Sequence, residues 1–325
     1  MDTSPRISFH PAGCGPVGHP KHSISWARGL RWLALPAALV TPVVLGATEL
    51  TRPQVAFRVA CMQSVASNLN RNDALASIKV LGRTITGRRN LNFNVESTMY
   101  ETVAEAQHDL ERRTLDLIVM TSAEYLKLEA LGKDLEPVFM PSYARQSAKE
   151  YLLVTAKGAA TSLASLRGKR LLLLQARGAN LGKAWLDLYL HSEKLESTEQ
   201  FFGSVQVVTK ASAAILPVFF GQAEACIVNR ESFEISSELN PQLGTRLQIV
   251  TNSPSYLESV VCLRRSFAEQ RAEVISALAE MHQYPDGQQM LTLFTISSIA
   301  PFREESLASV RQLLAEWNQL NRTPP

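Results

Sequence analysis

From Gln54 onward the chain alternates short apolar runs with segments whose apolar residues recur at helical spacing. QVAFRVACM (54–62), LNFNVE (91–96) and LDLIVM (115–120) predict strands, separated by helical patterns over 73–81 and 103–113. A second stretch repeats the grammar with strands over 170–174, 205–209 and 225–228 and helices over 181–192 and 212–220, then a helix over 231–238 and a strand over 246–251. Continuous apolar strands flanked by helical periods predict parallel sheets covered on both faces, which is α/β layering. Two further apolar runs, EYLLVT (150–155) and SVVCLR (259–264), follow Ser- and Pro-containing segments and are expected to be the crossovers between two lobes. The first lobe is then discontinuous, residues 50–153 plus 262–325, with 154–261 inserted as the second lobe. The remaining C-terminal part predicts helices over 267–281, 287–292 and 307–320. A bilobed α/β chain holds its ligand in the cleft between lobes.

Residues 1–47 follow a different pattern. Lys21, Arg28 and Arg31 precede an apolar run from Trp32 to Leu45, and Gly46 and Ala47 close it. That layout predicts a secretory signal peptide cleaved near Ala47, with an uncleaved anchor as the alternative; Pro36 and Pro42 interrupt the run, which is short for a membrane span. Arg6, Lys21, Arg28 and Arg31 against Asp2 give this leader the formal charge of the whole chain, +3, and leave the rest near neutral. A near-neutral surface without basic blocks argues against a nucleic-acid partner. Beyond the leader, Cys61, Cys226 and Cys262 each sit inside an apolar run with no C-x-x-C spacing, which predicts buried free thiols. His108, His191 and His282 are scattered, and there is no H-E-x-x-H, G-x-S-x-G or phosphate-binding P-loop. Neither a metal, a cofactor nor a catalytic centre is therefore expected.

Ligand groups in open α/β sheets come from loops at strand carboxyl ends. Those loops offer Gln63 and Ser64; Thr121, Ser122 and Tyr125; Gln175, Arg177, Gly178 and Asn180; and Asn229 with Arg230. The segment LASLRGKRLLLLQARGANLGKAWL (163–186) is the most pointed of them, since it puts backbone N–H groups and an arginine where a strand meets a helix start, which suits an anion. Several candidates have a structural alternative. Thr121 and Ser122 suit a helix cap; Asn229 and Arg230 suit a helix start; Arg177 suits a solvated loop; Tyr125 falls at helical spacing with Leu128 and suits a core. Tyr143 and Tyr256 either line the cleft or pack the hinge.

The order and wording of several segments resemble the periplasmic substrate-binding proteins of phosphonate, phosphite and phosphate ABC transporters. The residues concerned are LDLIVMTSAEYL, EYLLVTAKG, SLASLRGKRLLLL, VFFGQAEACIV, SPSYLESVVCLRRSF and APFREESLASVRQLL, which run along almost all of the chain after the leader. The resemblance implies a type II periplasmic-binding fold: two α/β lobes with mixed, mostly parallel sheets, joined by two crossover strands and closing around a small anion. It implies a monomeric periplasmic protein that delivers a small oxyanion to an ABC permease. Two alternatives share the fold: a sensor domain partnered with a membrane histidine kinase, and an enzyme. At the pocket loop the Ser/Thr-rich stretch of phosphonate binders is replaced by Gln175, Ala176, Arg177, Gly178, Ala179 and Asn180. An arginine there suits phosphate, sulfonate or carboxylate through a bidentate fork.

Overall fold

Two apolar-stranded blocks, interrupted and resumed along the chain, settle into two sheets. A computed structural model describes residues 54–66, 69–142, 148–159, 162–175 and 181–322. The expected leader over 1–47, and Tyr143, Arg177, Gly178 and Asn180, lie outside the described residues. The first block holds β1 (Val55–Met62), α1 (Arg71–Arg88), β2 (Phe93–Tyr100), α2 (Val103–Glu111), β3 (Leu117–Thr121), α3 (Ser122–Ala130) and β4 (Leu135–Ser142). A two-residue strand β5 (Ala148–Lys149) leads to β6 (Tyr151–Ala156), β7 (Arg170–Leu174), α4 (Leu181–Ser192), α5 (Thr198–Phe201), β8 (Ser204–Val208) and α6 (Ala211–Phe219). β9 (Ala225–Asn229), α7 (Arg230–Leu239), α8 (Pro241–Arg246) and β10 (Leu247–Asn252) complete that block. The chain returns through β11 (Tyr256–Leu257) to β12 (Ser259–Arg264), α9 (Arg271–Ala279), α10 (Pro285–Leu293), β13 (Ser298–Pro301) and α11 (Glu305–Arg322).

The six-stranded sheet has the order β13-β4-β12-β3-β1-β2, and the five-stranded sheet the order β10-β6-β9-β7-β8. Both contain three adjacent parallel strands, β2-β1-β3 and β8-β7-β9. Both then add antiparallel strands, β12 beside β3 and β6 beside β9. The type II periplasmic-binding architecture expected from the sequence is therefore present in both halves. Its crossovers lie elsewhere than expected. EYLLVT and SVVCLR belong to β6 and β12, each hydrogen-bonded on both sides within its own sheet. Their apolar character reflects double-sided burial, and the chain crosses instead through β5 and β11, which pair antiparallel as a separate ribbon.

β4 arises against its local sequence, because Pro137 and Pro141 cannot donate to a ladder. A register shift opposite Val261 and Cys262 accommodates Pro137, and Pro141 faces the short edge strand β13. One apolar core runs through both sheets. It joins Ala60, Ile118 and Val260 of the first to Leu153, Leu173 and Ile227 of the second through Tyr151, Tyr256 and Leu257 and through Leu307, Val310 and Leu313 of α11. From Thr51 onward the chain forms a single compact unit. Cys61, Cys226 and Cys262 are buried free thiols, and burial pushes Cys61 and Cys226 up to about 12. Among the described residues no helix is long and apolar enough to cross a membrane.

Candidate functional site

β1 and β3 are neighbours in the first sheet, so the turns at their carboxyl ends meet. β1 ends in a single 3₁₀ turn, Gln63–Ala66, and β3 passes directly into α3. Thr121 caps α3 with an extended backbone, its hydroxyl accepting from Glu124 N–H at 3.2 Å. The Glu124 carboxylate completes the capping box. Its Oε2 accepts from Thr121 N–H at 2.9 Å, from Thr121 Oγ1 at 2.8 Å and from Ser64 Oγ at 2.8 Å. Two sequence candidates from loops far apart in the chain thus converge on one carboxylate oxygen. Gln63, beside Ser64, is half-buried.

Ser122 is fully buried and faces the ribbon, its hydroxyl donating to Leu257 O at 2.5 Å and its N–H to Glu258 O at 3.0 Å. Tyr125 is also buried, with its hydroxyl donating to Glu129 Oε1 at 3.0 Å. Burial first, and that carboxylate second, raise the phenol above its ordinary range. Glu129 is in turn held below the usual carboxylate range by Arg311 of α11, its ion-pair partner.

In the second sheet Gln175 extends β7, its N–H donating to Val208 O at 2.9 Å. Asn229 caps α7, its side chain accepting from Ser232 N–H at 2.8 Å. Arg230 turns toward the crossover: its N–H donates to Glu150 O at 2.9 Å and its Nε to Glu150 Oε2 at 2.5 Å. The hydrogen bond it donates to the Glu150 carboxylate is the main cause of its raised pKa. Lys149 of the ribbon lies 3.3 Å from Glu258 and 3.6 Å from Glu231 of α7.

The structure thus unites Ser64, Thr121 and the unforeseen Glu124 at one point, and bonds Ser122 of α3 to Leu257 of β11 and Arg230 of α7 to Glu150, which follows β5. A connected path of polar contacts runs from Ser122 through Glu258 and Lys149 to Glu231. Tyr256 of β11 packs against Tyr151 of β6 at 6.4 Å between centroids. A polar cavity of about 370 Å³ opens beside the end of β2, lined by Arg71, Tyr100, Glu101, Glu105, His108 and Asp109. An apolar cavity of about 110 Å³ lies apart from all of these, between the first sheet and α1, α9 and α10. Among the described residues no group of three or more His, Cys, Asp or Glu is placed to hold a metal ion.

A family model described as "ABC transporter, phosphonate, periplasmic substrate-binding protein" matches residues 83–307. The chain belongs to this family. Solved structures share the fold at low identity. A Xanthomonas citri protein bound to ATP superposes with a TM-score of 0.60 at 16% identity, covering 82% of this chain and 98% of that one. PhnD1 from Prochlorococcus marinus, in complex with methylphosphonate, gives 0.55 at 13% identity over 82% of this chain and 100% of the other. The periplasmic aliphatic sulphonate binding protein SsuA from Escherichia coli gives 0.50 at 13% identity over 83% and 89%. No curated protein matches in sequence. The family is one of transport substrate-binding proteins, which associates this binding protein with a small ligand, the periplasm and a membrane permease.

Proposed function

We propose that the chain captures a small oxyanion of the phosphate or phosphonate type between its two sheets and hands it to an ABC permease. The observation that carries this reading is the convergence of Thr121 N–H, Thr121 Oγ1 and Ser64 Oγ on one negatively charged oxygen, in a chain of the phosphonate-binding family. Donors so arranged suit an oxyanion. Gln63, Gln175 and Asn229 supply further polar groups from the carboxyl ends of both sheets, where open α/β sheets bind ligands, and Arg177, Gly178 and Asn180 follow Gln175 in the sequence. Relatives in complex with methylphosphonate, or binding aliphatic sulphonates, share the fold.

In this reading residues 54–142 plus 259–322 and residues 151–252 work as two lobes, since the bounds expected at 153/154 and 261/262 would cut β6 and β12, and the ribbon of β5 and β11 is the hinge. Closure is favoured by a ligand that bridges them. Residues 1–47 direct the chain to the periplasm, where it works as a monomer. The test is calorimetry against inorganic phosphate, methylphosphonate, an alkyl sulfonate and acetate. Binding of at least one phosphorus oxyanion is expected, weakened in Arg177→Ala by roughly 1–3 kcal/mol. Silence toward all four ligands would sink the proposal, and unchanged affinity in Arg177→Ala would remove that residue from the site.

A further inference from the structure

Among the described residues two helices begin with capping boxes, and they differ in what their glutamates hold. In α2 the exposed Glu105 accepts from the backbone N–H groups of Glu101 at 2.7 Å and Thr102 at 3.1 Å, both local. In α3 the half-buried Glu124 accepts from the local Thr121 N–H but also from two hydroxyls. One of these comes from Ser64, sixty residues away in the turn after β1. Helix capping does not require that second segment, because a capping box closes within four residues. All three donors belong to the set assigned above to the oxyanion. An ionised carboxylate is an acceptor-only group, so Glu124 Oε2 stands where an oxygen of the ligand has to sit.

We propose that Glu124 is the affinity-determining residue of the oxyanion site: its carboxylate holds the donors of β3 and β1, and a ligand binds by displacing it. This rests on the oxyanion reading given above. Two negative groups do not share one donor set without mutual destabilisation, so the ligand gains only the difference between its own hydrogen bonds and those surrendered by Glu124. Such an internal competitor weakens every anion and favours one with enough terminal oxygens to engage both hydroxyls and the N–H together, as phosphate or a phosphonate does. It is specificity obtained by opposition rather than by an added contact.

Calorimetric titration of the purified protein with methylphosphonate and with inorganic phosphate decides the matter when repeated on Glu124→Gln and Glu124→Ala. Gln still completes a capping box, so Glu124→Gln retains the helix start while removing the charge. Ala removes the competitor altogether, and far-UV circular dichroism verifies that both variants are folded. The expected result is a Kd at least about tenfold lower in Glu124→Gln than in the unmodified protein, with Glu124→Ala shifted the same way. Equal or weaker binding by both folded variants, while the unmodified protein binds, overturns the role of Glu124 and leaves the oxyanion reading intact. Silence of all three proteins toward both probes removes the oxyanion reading and this inference with it.

Discussion

Asp187 is where the fold can be tested most sharply. Its side chain is 4% exposed and gathers four donors from three helices. Thr198 of α5 gives its N–H at 3.0 Å and its hydroxyl at 2.5 Å, Lys183 of α4 its Nζ at 2.7 Å, and Trp317 of α11 its Nε1–H at 2.8 Å. Asp187→Ala strands those donors in a packed interface. Breaking a buried ion pair from one side costs about 3–5 kcal/mol. Lys183 retains Glu199 at 2.9 Å and is 17% exposed, which places the expected loss near the lower end, about 3 kcal/mol. Trp317→Phe keeps most of the ring and removes one hydrogen bond, for about 1 kcal/mol. Urea unfolding followed by circular dichroism measures both, and the double variant should show coupling of about 0.5 kcal/mol or more because the two residues share one bond. Burial opposes ionisation of Asp187, but the Lys183, Thr198 and Trp317 donors prevail and hold its pKa below the ordinary value. A folded-state pKa below the unfolded one gives stability that is present above about pH 4 and lost as pH falls through the folded value. Asp187→Asn should therefore be less stable than the unmodified protein at neutral pH, and the two should converge in acid. A loss under about 1 kcal/mol for Asp187→Ala, together with strict additivity, would refute the reasoning.

Other expectations follow from single contacts. Ser122→Ala deletes a buried hydroxyl bonded to Leu257 O and should lower stability by about 1–2 kcal/mol, read from the urea midpoint; no change would mean that the crossover finds another partner. Val274→Ile, on the wall of the apolar cavity of about 110 Å³, should raise the same midpoint; filling such a space completely is worth about 2.6 kcal/mol, and one methylene recovers a fraction of it. A lowered midpoint would show that the wall is already tightly packed. Cys61, Cys226 and Cys262 should remain unlabelled by a thiol reagent in the folded protein and label on unfolding, as peptide mass spectrometry will show; rapid native labelling of any one would contradict its burial.

Much of the scaffold was legible because its strands are short, apolar and framed by helical periods. β7, α4 and β12 have the bounds that the sequence predicts, residues 170–174, 181–192 and 259–264. β4 was not legible, since LEPVFMPS carries two prolines and its strand character depends on a bulge at Val138 formed against β12, more than a hundred residues downstream. Nor were β5 and β11, which at two residues each exist only by pairing with one another. EYLLVT and SVVCLR were legible as strands but not as sheet members, since an apolar run states only that a strand is covered, not which sheet covers it. At the site, Thr121 and Ser122 suited a cap, but the T-x-x-E spacing that would have pointed from Thr121 to Glu124 went unread. It could not announce Ser64, just as Arg230 gave no sign of Glu150, eighty residues away.

The position of β12 bears on how the molecule assembles. It lies between β3 and β4 and is hydrogen-bonded to both, so the first six-stranded sheet remains in two pieces until residues 259–264 have emerged. The second sheet comes from the uninterrupted stretch 151–252 and needs no such late arrival. Folding is thus ordered by sequence position in a way opposite to synthesis: the first sheet to begin is the last to close. Long-range pairing of this kind is slow, and during the wait the apolar edge of β3, Leu117–Thr121, is open to association with other chains. A chain released or cut before Ser259 would carry one finished sheet and one exposed seam.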